Sequence, residues 1–289
     1  MLKPYLCATN SILMASIGTL NELEVVKTVD FGVYLDGGAH GEILLPKRYV
    51  PENSKPGDRL EVFIYLDSDD RIIATTEKPL AMVGEFVLLK VAAVTAMGAF
   101  LDWGLPKDLL VPFREQKVKM EKGKSYLVYV YLDHESQRIV ATSKLDKCLG
   151  NIPADYEPGE EVDLIIADKT ELGYKAIVDN SHWGIIYHNE VFQSLRQGEK
   201  LKGYIKQVRE DEKIDLRLDK PGYEKIDSIS QGILDQMKAA GGFLPFNDKS
   251  DPEAIVKTFK ISKKNFKKAI GSLYKQRLIN IEGNGIRLV

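Results

Sequence analysis

The side chains able to do covalent or metal chemistry are few and scattered. The chain has four histidines, His40, His134, His182 and His188, and two cysteines, Cys7 and Cys148. His182 and His188 flank an apolar stretch at a spacing that matches no common metal pattern. Neither cysteine has a second one nearby, so reduced thiols rather than a disulfide or zinc set are expected. The acidic run "DSDD", Asp67–Asp70, offers oxygens for a hard cation, yet the matching place in a second copy reads "DHESQ", so a hairpin turn is expected there. The sequence contains no P-loop, no dinucleotide glycine pattern and no Gly-x-Ser-x-Gly elbow. Catalytic residues, bound metal and cofactors are therefore all expected to be none. The remaining chemistry is that of binding through aromatic, basic and acidic surface groups.

The elements that must position these groups are written as repeats. "VFIYLDSDDRIIATTEKP" from Val62 returns as "VYVYLDHESQRIVATSKLD" from Val128. The repeat is longer than this cassette. "DFGVYLDGG", "AMGAFLDWG" and "ELGYKAIVDN" are each followed by an apolar run ("GEILLP", "KDLLVP", "WGIIYHNE"). Next comes a glycine among charges ("KPGD", "EKGK", "RQGE"), and an alternating strand closes each copy ("RIIATT", "RIVATS", "KIDLRL"). Period-two apolar and aromatic residues between polar turns predict about five short strands per copy. That is enough for each copy to close a small barrel of its own.

The tail changes period. "IDSISQGILDQMKAAGG" has helical spacing, with Asp227, Ser228 or Ser230 expected to cap it and Gly241 to end it. "SDPEAIVKTF" starts with a Ser or Asp cap and an early Pro252. "ISKKNFKKAIGSLYKQR" predicts a third helix capped by Ser262, with Phe266, Ala269, Ile270, Leu273 and Tyr274 as its apolar stripe. "LINIEGNGIRLV" predicts a terminal β-hairpin. Three helices and a hairpin make a winged helix. The expected organisation is a leader or first-strand extension over 1–16, barrels over 17–79, 80–149 and 150–222, and a winged helix over 223–289. No apolar run is long enough to predict a membrane span, and the leader lacks the pattern of a signal peptide.

The strands "FGVYLD" and "MGAFLDWG" with their following "GEILLP" and "DLLVP" resemble the S1 RNA-binding domain. Three such units before a winged helix resemble the conserved virulence factor B (YitL-like) family of bacterial RNA-binding regulators. The fold this implies is mainly β with an α+β tail: three tandem S1-like, OB-fold, five-stranded β-barrels followed by a winged-helix domain. The resemblance implies single-stranded RNA on a barrel face with exposed aromatic and basic residues. Its aromatic positions fall on Phe31 and Tyr34 in the first unit. In the second, Met97 replaces the first aromatic and Phe100 keeps the next. In the third, Leu172 and Lys175 take the pair. A further position falls near Leu45, Val111 and Tyr187, with His188 beside the last.

Overall charge, −2, advertises no partner, but it is unevenly spread. The four units carry −5, +2, −5 and +5 in order. Two acidic barrels are expected to be weak binders alone. In the second unit Arg114, Lys117 and Lys119, with Lys122 and Lys124, form either a solvated loop or a phosphate rim beside Phe100. Trp103, in the loop after that strand, is either an exposed platform or packing. In the tail, Lys260, Lys263, Lys264, Lys267, Lys268, Lys275 and Arg277 form a run with no acid inside it, and Arg287 sits on the wing. The expected function is non-catalytic RNA binding in gene regulation, in the cytoplasm. The alternative is a transcription regulator whose winged helix reads duplex DNA, with the barrels as protein-docking modules. Contacts with the ribosome or RNA polymerase are a third reading.

Overall fold

The computed structural model describes residues 15–191, 194–219 and 224–289; most of the expected leader, with Cys7, lies outside them. The chain divides into two compact units, Met1–Cys148 and Leu149–Val289.

The first unit holds two barrels. One is built from β1 (Leu20–Val29), β2 (Gly32–Asp36), β3 (Glu42–Pro46), β4 (Arg59–Leu66) and β5 (Ile72–Thr75). The other is built from β6 (Phe86–Val94), β7 (Gly98–Asp102), β8 (Leu109–Pro112), β9 (Ser125–Leu132) and β10 (Ile139–Thr142). A third barrel, in the second unit, comprises β11 (Glu161–Lys169), β12 (Gly173–Val178), β13 (His182–Tyr187), β14 (Lys200–Val208) and β15 (Ile214–Arg217). All three close in one strand order, first-second-third-fifth-fourth. In each, the third and fifth strands pair in parallel.

The repeated glycines have a common cause. A Cβ on Gly32, Gly98 or Gly173 would lie 2.2, 2.3 or 2.1 Å from the carbonyl oxygen of Leu45, Val111 or Ile186 on the neighbouring strand. Each first strand also carries a bulge at the same place, between Val25 and Lys27, Val91 and Ala93, or Ile166 and Asp168. The glycine among charges docks there, with Gly57, Gly123 and Gly198 donating to the carbonyls of Val25, Val91 and Ile166. The "DSDD" segment is the tip of the β4–β5 hairpin. Asp67 accepts from the Asp69 and Arg71 amides at 2.9 and 3.0 Å and pairs with the Arg71 side chain.

Alternation puts Val62 and Ile64 inside the first barrel, which leaves Phe63 and Tyr65 on its outer wall. Both are nevertheless buried, in a core shared with Trp103, Leu105 and Leu109 of the second barrel. Trp103 meets Phe63 edge-on at 5.8 Å. The connection between the first two barrels, 77–85, is packed: the Leu80 amide donates to the Trp103 carbonyl and that of Val83 to the Gly18 carbonyl. The third barrel and the tail each have a separate core.

The tail folds as α1 (Glu224–Ala239), β16 (Phe243–Leu244), α2 (Pro252–Phe259), α3 (Lys263–Lys275), β17 (Ile279–Glu282) and β18 (Gly285–Leu288). Asp251 caps α2 through Ala254 N, and Ser262 caps α3 through Asn265 N, as their residue types predict. Gly241, at φ 73°, ends α1. Three expectations need correction. α1 starts at Glu224, so Asp227, Ser228 and Ser230 lie within it rather than capping it; the Ser230 hydroxyl is buried and donates to Ala269 O. The short β16 pairs with β18 and widens the hairpin to three strands. Tyr274 is 55% exposed instead of completing the apolar stripe. At about 100° per residue it sits roughly 80° around α3 from Phe266, on the flank of the buried face.

Because Phe63 is fully buried between the first two barrels, Phe63→Ala is expected to destabilise that pair by about 3–5 kcal/mol. Denaturant unfolding followed by Trp103 fluorescence checks this, since Trp103 lies against Phe63.

Candidate nucleic-acid interface

On the first barrel, Tyr34 points outward from β2, opposite Leu44 of β3. Phe31 stands beside it, 57% exposed, with its ring edge-on at 6.3 Å. The bulge in β1 brings Lys27 opposite Tyr34, and its ammonium sits 4.7 Å from the ring centre. The same lysine pairs with Glu42 of β3. This is an aromatic face with a cation already partly neutralised.

On the second barrel, Phe100 takes the place of Tyr34, opposite Leu110. The residue opposite it on β6 is Ala93, where the first barrel has Lys27. Phe100 lines a cleft of about 230 Å³ whose other wall is the β4–β5 hairpin of the first barrel. Trp103 also lines it but is 3% exposed, and its indole N–H donates to Lys107 O at 2.6 Å. Of the two expectations for Trp103, packing is therefore correct and an exposed platform is not: the first barrel covers it. Arg114, Lys117 and Lys119 are exposed on the segment after β8, as are Lys122 and Lys124, and none lines the cleft beside Phe100.

The third barrel has the most open face. A recess of about 600 Å³ is lined by Leu172, Lys175, Trp183, Ile185, Tyr187 and Arg209, among others. Lys175, in the register position of Tyr34 and Phe100, lies 3.6 Å from the centre of the Trp183 ring. Arg209 bonds the Tyr187 hydroxyl and pairs with Asp215 at 2.9 Å. Asp215, itself buried, also accepts from Gln207 at 2.7 Å. The Trp183 indole N–H is buried and has no partner among the described residues. His188 is exposed, outside the recess, with Nε2 3.0 Å from Thr170 O and its ring against Tyr174.

Sequence reasoning missed Trp183 and Arg209. Trp183 shares a face with Ile185 and Tyr187 by alternation, which was a usable signal, but it sits in a run that reads as barrel wall. Counting along the paired strands, Trp183 replaces Glu42 of the first barrel and Asp108 of the second. Ile177 likewise replaces Asp36 and Asp102. The face of the third barrel has therefore exchanged two carboxylates for apolar groups, although the barrel as a whole carries −5.

In the winged helix, the exposed side of α3 is basic. Lys264, Lys267, Lys268 and Lys275 are exposed, Lys263 is half-buried, and Lys267 lies 3.9 Å from Asp248. Tyr274 stands among them at helical spacing, between Lys263 and Lys267 around the axis. Lys260 holds the left-handed C-cap of α2 at φ 56°, and Arg277, just after α3, is also left-handed at φ 57°. Arg287 bonds Glu282 at 2.9 Å and covers the Phe243 ring.

His182 and His188, weighed above for metal binding, have structural partners. His182 is buried between the Tyr156 hydroxyl, 3.0 Å away, and Ile152 O, 2.8 Å away. Burial pushes the Tyr156 hydroxyl up to about 12 and raises the Cys148 thiol above its usual range. Among the described residues, no group of three His, Cys, Asp or Glu side chains could hold a metal ion. Among the same residues, no helix is long and apolar enough to cross a membrane.

Asp215 orients both Arg209 and Tyr187 in the recess. Asp215→Ala is expected to lower stability by about 1–3 kcal/mol, less than for a fully buried pair, because Arg209 reaches solvent. Urea unfolding of the full chain measures it, with Arg209→Ala as a companion expected to cost at least as much, because it leaves the buried Asp215 carboxylate without its cation.

Two family models match the chain. The S1 domain matches residues 17–77 and 83–144, and the CvfB-like winged helix domain matches residues 231–288. The chain is 29% identical over 282 residues to conserved virulence factor B of Staphylococcus aureus strains N315 and USA300, covering 94% of this chain and 94% of each relative. A solved structure, a multidomain protein with nucleic acid binding domains from Streptococcus pneumoniae TIGR4, is similar at 25% identity and a TM-score of 0.41. The match covers 94% of this chain and 98% of that one. The chain thus carries S1 domains followed by a CvfB-like winged helix domain, and it is similar along most of its length to the conserved virulence factor B proteins.

Proposed function

We propose that this chain is a non-catalytic, cytoplasmic RNA-binding regulator of gene expression. Single-stranded RNA lies on the outer faces of the barrels, and the basic side of α3 adds phosphate contacts. The observation that carries this reading is the face of the third barrel. There Trp183 and Tyr187 offer stacking surface, Lys175 and Arg209 offer charge, and no carboxylate stands at the two positions that are acidic in the other barrels. Unpaired bases need a ring to stack on and a nearby cation for their phosphates. The net charge of a barrel is a poor guide here, because contact is made by one face. The virulence-factor name of the relatives fits a regulatory role. Duplex DNA on α3 is the second reading, favoured by its acid-free basic side.

Fluorescence anisotropy of the full chain with an unstructured pyrimidine-rich RNA tests the proposal. Submicromolar to micromolar binding that weakens with salt is expected, and no binding at low salt overturns it. Trp183→Leu should weaken binding about tenfold through lost stacking. Reversing Lys263, Lys264, Lys267 and Lys268 to Glu should reduce the slope of log K against log salt by about 3, at roughly 0.7 per phosphate contact on a single strand. Competition with duplex DNA that displaces the RNA in the wild type but not in this variant would assign α3 to DNA.

A further inference from the structure

The outer face of the second barrel is not open like that of the third. The β4–β5 hairpin of the first barrel stands over it, placing Tyr65, Leu66 and Ser68 along one wall of the cleft that Phe100 lines. The hairpin is clasped in place. Lys107 Nζ donates to Leu66 O at 3.0 Å and to Asp67 O at 2.7 Å, and Arg138 pairs with Asp70 at 2.5 Å. An ammonium has three donors, so Lys107 keeps one N–H beyond the clasp. Lys107 and Asp108 both line the cleft.

Asp108 is the unusual member. In the first barrel the equivalent Glu42 is neutralised by Lys27. In the second, the lysine position is Ala93, and Asp108 is half-buried with neither a hydrogen-bond donor nor an ion-pair partner among the described residues. Burial first, and then Asp102 beside it, raise its pKa above the usual carboxylate range. Its carboxylate still reaches solvent, so a ligand entering the cleft must replace that water with a donor of its own or lose the interaction. Phosphate cannot, since it brings only acceptors and negative charge. The edge of a nucleobase can, because every unpaired base presents N–H donors beside an acceptor. At about 230 Å³ the cleft is smaller than the roughly 300–1,000 Å³ of sites for drug-sized ligands, which suits a single planar ring system. Met97, 62% exposed, lines it with a flexible, polarisable side chain.

We infer that the cleft between the β4–β5 hairpin and the second barrel is a pocket for one unpaired nucleobase, stacked on Phe100 and read at its edge by Asp108 and Lys107. The inference rests on the reading of the chain as a single-stranded RNA binder. It adds that two barrels jointly build one site, which neither has alone.

The sign of one substitution separates a base-reading carboxylate from a bystander. Removing a carboxylate that merely lies near RNA strengthens binding, because phosphate repulsion falls. Removing one that accepts from a base weakens it. The test measures RNA anisotropy for the full-length wild type, Asp108→Ala, Phe100→Leu and Phe100→Trp, each first checked for an unchanged thermal transition. Asp108→Ala and Phe100→Leu are expected to weaken binding about tenfold each, and Phe100→Trp to retain it. Photocrosslinking of an RNA containing 5-iodouridine, followed by mass spectrometry, is expected to place an adduct on a peptide carrying Tyr65, Met97 or Phe100. If the wild type binds no RNA, the functional reading itself fails. If it binds, but Asp108→Ala is unchanged or tighter and no adduct falls on those peptides, the pocket is overturned while the functional reading stands.

Discussion

Closure of each barrel depends on one backbone contact. The second strand must pass so close to the third that a side chain at its first residue would collide with a carbonyl, and only glycine allows this. The bulge in the first strand completes the closure, since a small barrel needs its strands bent. It also decides what faces solvent. A shift of one residue in register exchanges the two faces of a strand. The skipped residue in β1 is what puts Lys27, rather than Val26, opposite Tyr34. What this face presents to solvent is therefore a consequence of how the barrel closes.

With the scaffold fixed, the three faces diverge by few substitutions. Tyr34, Phe100 and Lys175 occupy one position, while Glu42, Asp108 and Trp183 occupy another. The first face neutralises its carboxylate internally, the second leaves it without a cation, and the third replaces it with a ring. Each choice changes the local potential more than the charge of the whole barrel does, because neighbouring groups on a face interact across a few ångströms while distant surface charges are screened. A barrel carrying −5 can thus present a cationic and aromatic recess.

The repeats, the approximate number of strands in each copy and the winged helix were legible in the sequence because glycine spacing, period-two alternation and helix caps all reflect local physics. Asp251, Ser262 and Gly241 act where their residue types place them. What was not legible depends on a neighbour. "VFIY" is apolar on both faces, which signals cover on both sides, but a strand does not say what covers it; the answer is the second barrel. Trp103 follows a strand in a loop, and only that same contact makes it core. Trp183 lay in a run that reads as wall, and Tyr274 sat one step around the helix from a stripe that ends before it. Phe31, Tyr34 and Phe100 were singled out by the resemblance to the S1 domain rather than by any local signal of their own.

The burial of Phe63 and Tyr65 has a consequence for how the repeats divide the work. The corresponding residues of the second barrel, Tyr129 and Tyr131, remain half-buried, so the duplicated cassette is used twice in different ways. In the first copy it is an adhesive wall and its tip is clasped; in the second its outer tyrosines stay half-buried and its Arg138 completes the clasp. A flexible tether between barrels would let each face sample RNA independently, and any gain would come only from effective concentration. A packed junction instead fixes the geometry in advance and removes the ordering cost of bringing two walls around one base. The first two barrels are joined by a common core, and the polar groups gathered at their junction, Lys107, Asp108 and Arg138, are the ones whose placement depends on that packing.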